Sequence, residues 1–162
     1  MQSTLSAWAA NIPIYKISKS GNEISVKTES NFSIIQKNQI LTIGDFCNEC
    51  GNCNTFCPTN GAPYKTKPIF YLKEESFDNE SVGYYFKDGI LKFKNRNGIE
   101  SLHINESYFV YRSELVEVRF SKDFLSLIDI KFLSDSVREI NLHQAAEMCF
   151  LIRNLKDVSI FK

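Results

Sequence analysis

Four cysteines in one short stretch are the residues of this 162-residue chain best suited to chemistry. Cys47, Cys50, Cys53 and Cys57 follow the spacing C-x2-C-x2-C-x3-C, and Pro58 comes directly after the last of them. Cysteine thiolates in this arrangement typically bind iron–sulfur clusters. The spacing therefore predicts that the four side chains hold one [4Fe–4S] cluster, or a [3Fe–4S] cluster if one iron atom is missing.

The gaps between the cysteines favour such a cluster over a structural zinc ion. Two-residue gaps allow Cys47, Cys50 and Cys53 to direct their sulfur atoms at neighbouring iron atoms, with backbone N–H groups close to the sulfurs. Structural zinc sites typically use two cysteine pairs that a longer gap separates. Consecutive two-residue gaps cannot be divided into two such pairs, so an iron–sulfur cluster is the preferred interpretation and zinc is the alternative.

The fourth ligand of the cluster is left open by the sequence. In two-cluster ferredoxins the fourth cysteine of each run ligates the other cluster, whereas this chain contains a single run. Cys57 is the first choice, and the alternatives are Cys149, a ligand from another chain or a cluster without its fourth iron. Cys149 falls on the apolar stripe of a predicted helix, where a free cysteine usually packs as a small apolar side chain.

Composition predicts a soluble protein of the cytoplasm. Lys and Arg number 19, as do Asp and Glu, so the zero net charge gives no electrostatic reason to expect nucleic-acid binding. The first residues lack the basic and apolar regions of a signal peptide, and no apolar run approaches the roughly 20 residues of a membrane span. Five cysteines, four of them clustered, favour metal binding in a reducing compartment over a disulfide framework.

The sequence contains no pattern typical of a self-contained active site. His103 and His143 have no cysteine or carboxylate constellation beside them, and neither is assigned a catalytic role. A nucleophile elbow, a phosphate-binding loop and a Gly-rich dinucleotide fingerprint are all missing from the sequence. No catalytic residue and no flavin site are therefore predicted, and whether the chain is an enzyme stays open.

Strands are predicted on both sides of the cysteine stretch. Residues 12–43 alternate apolar and polar positions around a turn at Ser20–Glu23, which is typical of half-buried strands. After the cysteines, Asp88 and Gly89 form a strong hairpin signal inside a meander predicted for about residues 80–120. Most of the chain is therefore predicted to be β-structure.

The clearest helix signal lies near the end of the chain. Apolar residues recur at helical spacing over about 141–155, and Asn141 is a candidate cap for the start of that helix. Residues 121–133 fit either a helix or a buried strand, because short apolar runs do not distinguish the two. A last strand is predicted at 158–161.

These patterns predict an α+β fold, in which a β-rich body carries an inserted ferredoxin-type iron–sulfur loop and a C-terminal helix. An N-terminal β segment covers 1–43, a [4Fe–4S] ferredoxin-type segment covers 44–72, and a β-meander with the C-terminal helix covers 73–162. The three segments are expected to pack as one compact unit.

Residues 47–77, CNECGNCNTFCPTNGAPYKTKPIFYLKEESF, resemble the C-terminal ferredoxin-type region of selenate-reductase-type iron–sulfur subunits. These proteins are flavin oxidoreductases with attached ferredoxin-type cysteine runs, built on a core similar to the small subunit of glutamate synthase. The cysteines followed by proline are generic to ferredoxins, and the combination of CNECGNC with GAPYK is more specific. The resemblance implies that Cys47, Cys50, Cys53 and Cys57 are cluster ligands that relay electrons to or from a flavin or another cluster.

The chain departs from this family by having one cysteine run and no dinucleotide-binding core. The resemblance then implies a split-off or truncated tail whose redox partner, such as a flavin-containing oxidoreductase subunit, is a separate polypeptide. The predicted function is electron transfer, as an iron–sulfur protein or as a subunit or module of a larger flavin-dependent oxidoreductase. The alternative is a non-catalytic interaction module whose cysteines bind zinc or no metal.

Overall fold

A computed structural model describes residues 2–6, 11–34, 38–52, 55 and 67–155 of the chain. These residues form a sheet of nine strands, a sheet of three strands and helices packed against them. The predicted strand at 158–161 lies outside the described residues.

The elements are named in chain order. The strands are β1 (Gln2–Ser6), β2 (Ile12–Ser20), β3 (Glu23–Phe32), β4 (Asn38–Ile43), β5 (Ile69–Tyr71), β6 (Gly83–Lys87), β7 (Ile90–Asn95), β8 (Gly98–Ile104), β9 (Tyr108–Arg112), β10 (Val116–Ser121), β11 (Leu127–Phe132) and β12 (Glu139–Asn141). The α-helices whose bounds lie in the described residues are α1 (Glu74–Asn79) and α2 (His143–Leu155), and a 3-10 turn covers Gly44–Phe46.

The prediction of an α+β fold with an inserted ferredoxin-type iron–sulfur loop is wrong. Strands dominate the described residues, and the cysteine-containing residues 44–68 connect two neighbouring parallel strands, β4 and β5, of the large sheet. Where this connection is described near the cysteines, it does not show a ferredoxin-type loop. The physical reason is that the apolar segments before and after the cysteines pair with each other, so the sheet is continuous across the connection.

The large sheet has the strand order β1-β4-β5-β6-β7-β8-β9-β10-β11. The neighbours β4, β5 and β6 run parallel, and the strands from β6 to β11 form an antiparallel meander. The predicted meander is confirmed, and it extends into the ambiguous residues 121–133, where β11 is a strand. A meander needs only short turns, which is why local sequence patterns identified it.

Two hairpin turns follow the sequence signals. Ser20 pairs with Glu23 across the turn between β2 and β3, and Gly21 adopts a φ of 61° there. Asp88 and Gly89 join β6 to β7 with φ values of 51° and 77°, as a type I′ turn requires. Both predicted turns are confirmed, because glycine and aspartate tolerate the positive φ values that tight hairpins demand.

Helix α2 packs against strands of both sheets and confirms the predicted C-terminal helix. Its start is shifted slightly, since the helix begins at His143, and the side-chain Oδ1 of Asn141 accepts the His143 N–H at 2.7 Å. Most of the helix is buried in the main core, which it shares with β2 and with the strands from β4 to β10. Among the described residues, no helix has the length and apolar character needed to cross a membrane.

The hydrogen bond from His143 to Asn141 predicts a measurable stability effect. Replacing Asn141 with Ala should lower the free energy of unfolding by about 1 kcal/mol, because the His143 N–H loses its acceptor and Glu29 loses the Asn141 Nδ2 donor. Asn141→Ser, which keeps a side-chain oxygen, should recover part of that loss. Urea denaturation measures both variants, and an Asn141→Ala protein as stable as the wild type would contradict the capping role.

Candidate functional site

The cysteine run begins at the carboxyl end of β4, beside its parallel neighbour β5. Thr42 is in register with Ile69, and Ile43 with Phe70. The Thr42 N–H also donates to the carbonyl of Pro68 at 2.9 Å. The connection therefore leaves the sheet after Ile43 and returns next to the strand that it left, so both of its ends are held by the sheet.

The carboxylate of Asp45 ties the start of the connection to the elements that follow β5. Its Oδ2 accepts the backbone N–H of Leu72 at 2.6 Å, and its Oδ1 accepts the hydroxyl of Ser76 in α1 at 2.6 Å. Hydrogen bonds to a carboxylate are stronger than those between neutral groups. Two residues further on, the Cys47 N–H donates to the Gly44 carbonyl at 2.9 Å and closes the 3-10 turn.

The ring of Tyr71 packs closely against two glycines. A Cβ at Gly44 would overlap the Cε1 edge of the ring and lie 2.8 Å from Cδ1 and Cζ. A Cβ at Gly83 would overlap the Cε2 edge and lie 2.9 Å from Cδ2. Because the ring is buried in the space that the glycines leave, it fixes the 3-10 turn against β5 and β6.

The hydroxyl of Tyr71 has a raised pKa, and groups at the start of the cysteine run contribute to it. Burial is the main cause that raises the pKa of Tyr71 to about 12. Negative charge on Glu80, Asp45 and Glu49 contributes to the same shift, and so does the Cys47 thiol. The phenol therefore stays neutral at physiological pH and can donate a hydrogen bond, but it cannot act as a base there.

Cys47 and Cys50 lie in the irregular segment that follows the 3-10 turn and are free thiols. Cys47 is half-buried and Cys50 is exposed, and the Cys50 N–H donates to Asn48 Oδ1 at 3.4 Å. Glu49 and Gly51, on either side of Cys50, have positive φ values of 53° and 78°. One half-buried and one exposed free thiol in this short segment fit the donor chemistry of a thiolate-bound metal centre, whether iron–sulfur or zinc.

The other two predicted ligands, Cys53 and Cys57, lie outside the described residues. The structure thus describes Cys47 and Cys50 only, and the four-cysteine ligand set stays a prediction. Within the described part of the chain, no group of three or more His, Cys, Asp or Glu side chains is arranged to hold a metal ion.

Cys149, the alternative remote ligand, is fully buried in α2 as part of the main core. Burial raises the pKa of its thiol to about 12. Metal binding by cysteine requires the thiolate, which an apolar environment disfavours. These properties are those of a core side chain, in contrast to the accessible thiols of Cys47 and Cys50.

Sequence reasoning missed the residues that position the run. Asp45 stands directly before the cysteines, and a carboxylate at the end of a strand was a usable signal for an anchoring side chain. The contacts of Tyr71 with Gly44 and Gly83 had no such signal, because they depend on the parallel pairing of three strands that are distant in sequence.

Comparison with known proteins gives one partial relationship. The Escherichia coli K12 protein named "Putative oxidoreductase YgfK" is 40% identical to this chain over 68 residues, and its counterpart in strain O157:H7 matches equally. The match covers 41% of this chain, which spans only 7% of the length of that relative. No protein-family model and no solved structure match the chain. The chain is thus related in part to a protein named as an oxidoreductase.

The packing of Tyr71 predicts a specific coupling with Gly44. Gly44→Ala should lower the free energy of unfolding by about 1–3 kcal/mol, because the new methyl group overlaps the ring. In a Tyr71→Ala background the same substitution should cost much less, since the ring is gone. Urea denaturation of the four proteins measures the coupling, and an equal cost in both backgrounds would contradict the contact.

The raised pKa of Cys149 predicts a pH effect on stability. Between about pH 9 and pH 12 the thiol ionises in the unfolded chain and stays protonated in the folded chain, so its contribution to stability falls as pH rises. Cys149→Ala lacks this thiol. Its free energy of unfolding should therefore fall less steeply with pH than that of the wild type, by about 1 kcal/mol per pH unit over this window. Parallel pH profiles for the two proteins would contradict the burial of this thiol.

Proposed function

We propose that this chain is an electron-transfer iron–sulfur module that works with a larger flavin-dependent oxidoreductase. The observation that carries the proposal is the cysteine run, whose first two thiols are free and lie just after β4, in a connection that the β4–β5 pairing and Asp45 hold at its start. The partial identity to a protein named as an oxidoreductase supports the same class of function.

Cys47, Cys50, Cys53 and Cys57 are the proposed ligands of one [4Fe–4S] cluster. When bound, such a cluster supplies one-electron transfer at a potential set by its hydrogen bonds and solvent exposure. The chain's own contribution begins with Asp45, whose hydrogen bonds to Leu72, just after β5, and to Ser76 in α1 hold the start of the run in place. A fixed first ligand lowers the entropy lost when the remaining thiolates close around the iron atoms.

The proposed partner is a flavin-containing oxidoreductase subunit that exchanges electrons with the cluster. The family that residues 47–77 resemble combines ferredoxin-type runs with a flavin-containing core, so a separate polypeptide would supply the flavin here. A reducing cytoplasm fits this proposal, because accessible free thiols such as Cys50 are stable there without forming disulfides.

The cluster proposal is tested by anaerobic purification of the full chain, with iron, sulfide and zinc analysis. The wild type should contain about four iron atoms and four sulfides per chain and give an electron paramagnetic resonance signal after reduction. Cys50→Ala should lose most of this iron, because it removes one of the four proposed ligands. Cys57→Ala should convert or abolish the cluster.

Cys149→Ala is the matched control, since it removes a buried thiol and should keep the iron content of the wild type. One zinc ion per chain without sulfide would overturn the cluster and support the interaction-module alternative. An unchanged four-iron signal in Cys50→Ala would exclude that residue as a ligand and contradict the proposed site.

A further inference from the structure

Strand β3 is an exposed edge of the small sheet. The order of that sheet is β12-β2-β3, and in the described part of the chain the far side of β3 faces no other strand. Every residue from 23 to 31 is exposed, including the apolar Ile24 and Val26 at 46% and 41%. A long edge with unpaired N–H and C=O groups is a template for pairing with another strand.

The hairpin turn determines which backbone groups of β3 face outward. Ser20 and Glu23 close a two-residue turn and are therefore a hydrogen-bonded pair. Because such pairs alternate along an antiparallel ladder, Ser25 and Lys27 also direct their backbone groups toward β2. The backbone N–H and C=O groups of Ile24 and Val26 then point away from the sheet and are available to a new strand.

The edges formed by β11 and β12 are less suited to pairing than β3. The register of β11 on β10 shifts between Arg119 and Phe120, which leaves Ile128 as an extra residue in a bulge. Bulges bend a strand and interrupt its hydrogen-bonding row, and they protect edges from pairing. β12 has only three residues. The first six residues of β3 pair with β2 without a shift.

We propose that the β3 edges of two copies of this chain pair antiparallel about a two-fold axis. With Ile24 opposite Val26 of the second copy, the outward backbone groups of both residues form hydrogen-bonded pairs. The same register places Glu23 opposite Lys27 of the second copy and Ser25 opposite Ser25. Because of the two-fold symmetry, the Glu23–Lys27 pair forms twice. Opposite charges and β-branched side chains therefore meet where cross-strand pairs interact.

Shifted registers are disfavoured by charge. A shift of one strand by two residues, toward the Phe32 end of β3, keeps outward-facing residues paired and brings Glu23 opposite Glu29. A second such shift brings Lys27 opposite Lys27. Like charges directly opposite each other destabilise a sheet. A further shift in this direction would centre the pairing on Thr28, next to the bulge at Glu29, and a shift toward the hairpin turn would leave only Glu23–Ser25 of each β3 paired. Charge and paired length together favour the register with Ile24 opposite Val26.

The proposal is tested by sedimentation equilibrium of the full chain in reducing buffer, which excludes disulfide dimers through Cys50. The wild type should form a reversible dimer, weak because a single strand pair buries little area. Lys27→Glu should weaken association by about tenfold, because it turns both symmetric Glu23–Lys27 pairs into pairs of carboxylates. The charge swap Glu23→Lys with Lys27→Glu should restore wild-type association.

Lys131→Glu on the bulged edge β11 is the matched control and should leave association unchanged. The fold of the Lys27 variant is not threatened, because its partner on β2 is Lys16 and the new pair is attractive. A wild type that stays monomeric to about 1 mM would overturn the proposal and leave the edge to a strand of a different protein. Equal association of wild type and Lys27→Glu would overturn it too.

Amide hydrogen exchange of the wild type tests the register without any substitution. Raising the protein concentration should protect the Ile24 and Val26 amides, which point outward, while the Ser25 amide, bonded to β2, should change little. Protection that appears only outside β3 would overturn the proposed interface.

Discussion

The parallel pairing of β4, β5 and β6 is the constraint on which the candidate site depends. Because β4 and β5 run in the same direction, the chain between them must cross back along the sheet, and this crossover contains the cysteine run. The close packing of Tyr71 against Gly44 and Gly83 joins the start of the crossover to both neighbouring strands. Asp45 adds hydrogen bonds to Leu72 and Ser76. The segment with the first two cysteines therefore begins at a point that the sheet, Tyr71 and Asp45 hold in place.

Local patterns predicted the local parts of the fold. The Asp88-Gly89 turn and the helix that ends at Leu155 are encoded within a few residues, by positive-φ tolerance and by helical periodicity. The fold class was wrong because it depends on distant pairing. Ile69–Tyr71 carries a short apolar strand signal of its own, but its place between Ile43 and Tyr84 depends on pairing that the local sequence does not encode.

The candidate site shows the same division between local and distant information. The spacing from Cys47 to Cys57 predicted the ligand set, and the structure describes Cys47 as half-buried and Cys50 as exposed in the segment after β4. The expectation that Cys149 packs in the core is confirmed by its complete burial, which its position on an apolar helical stripe had indicated. The position of Asp45 at a strand end indicated an anchoring side chain, but its partner Leu72 is 27 positions away and was not predictable. The contacts of Tyr71 had no local signal, because they form across parallel strands.

The central claim is that an anchored cysteine run in this chain binds an iron–sulfur cluster. Native mass spectrometry of the full chain, purified without oxygen, tests it most directly. The account predicts a mass increase equal to one [4Fe–4S] cluster per chain, lost when the protein is unfolded. A mass increase of one zinc ion, or the mass of the bare polypeptide from oxygen-free preparations, would contradict it.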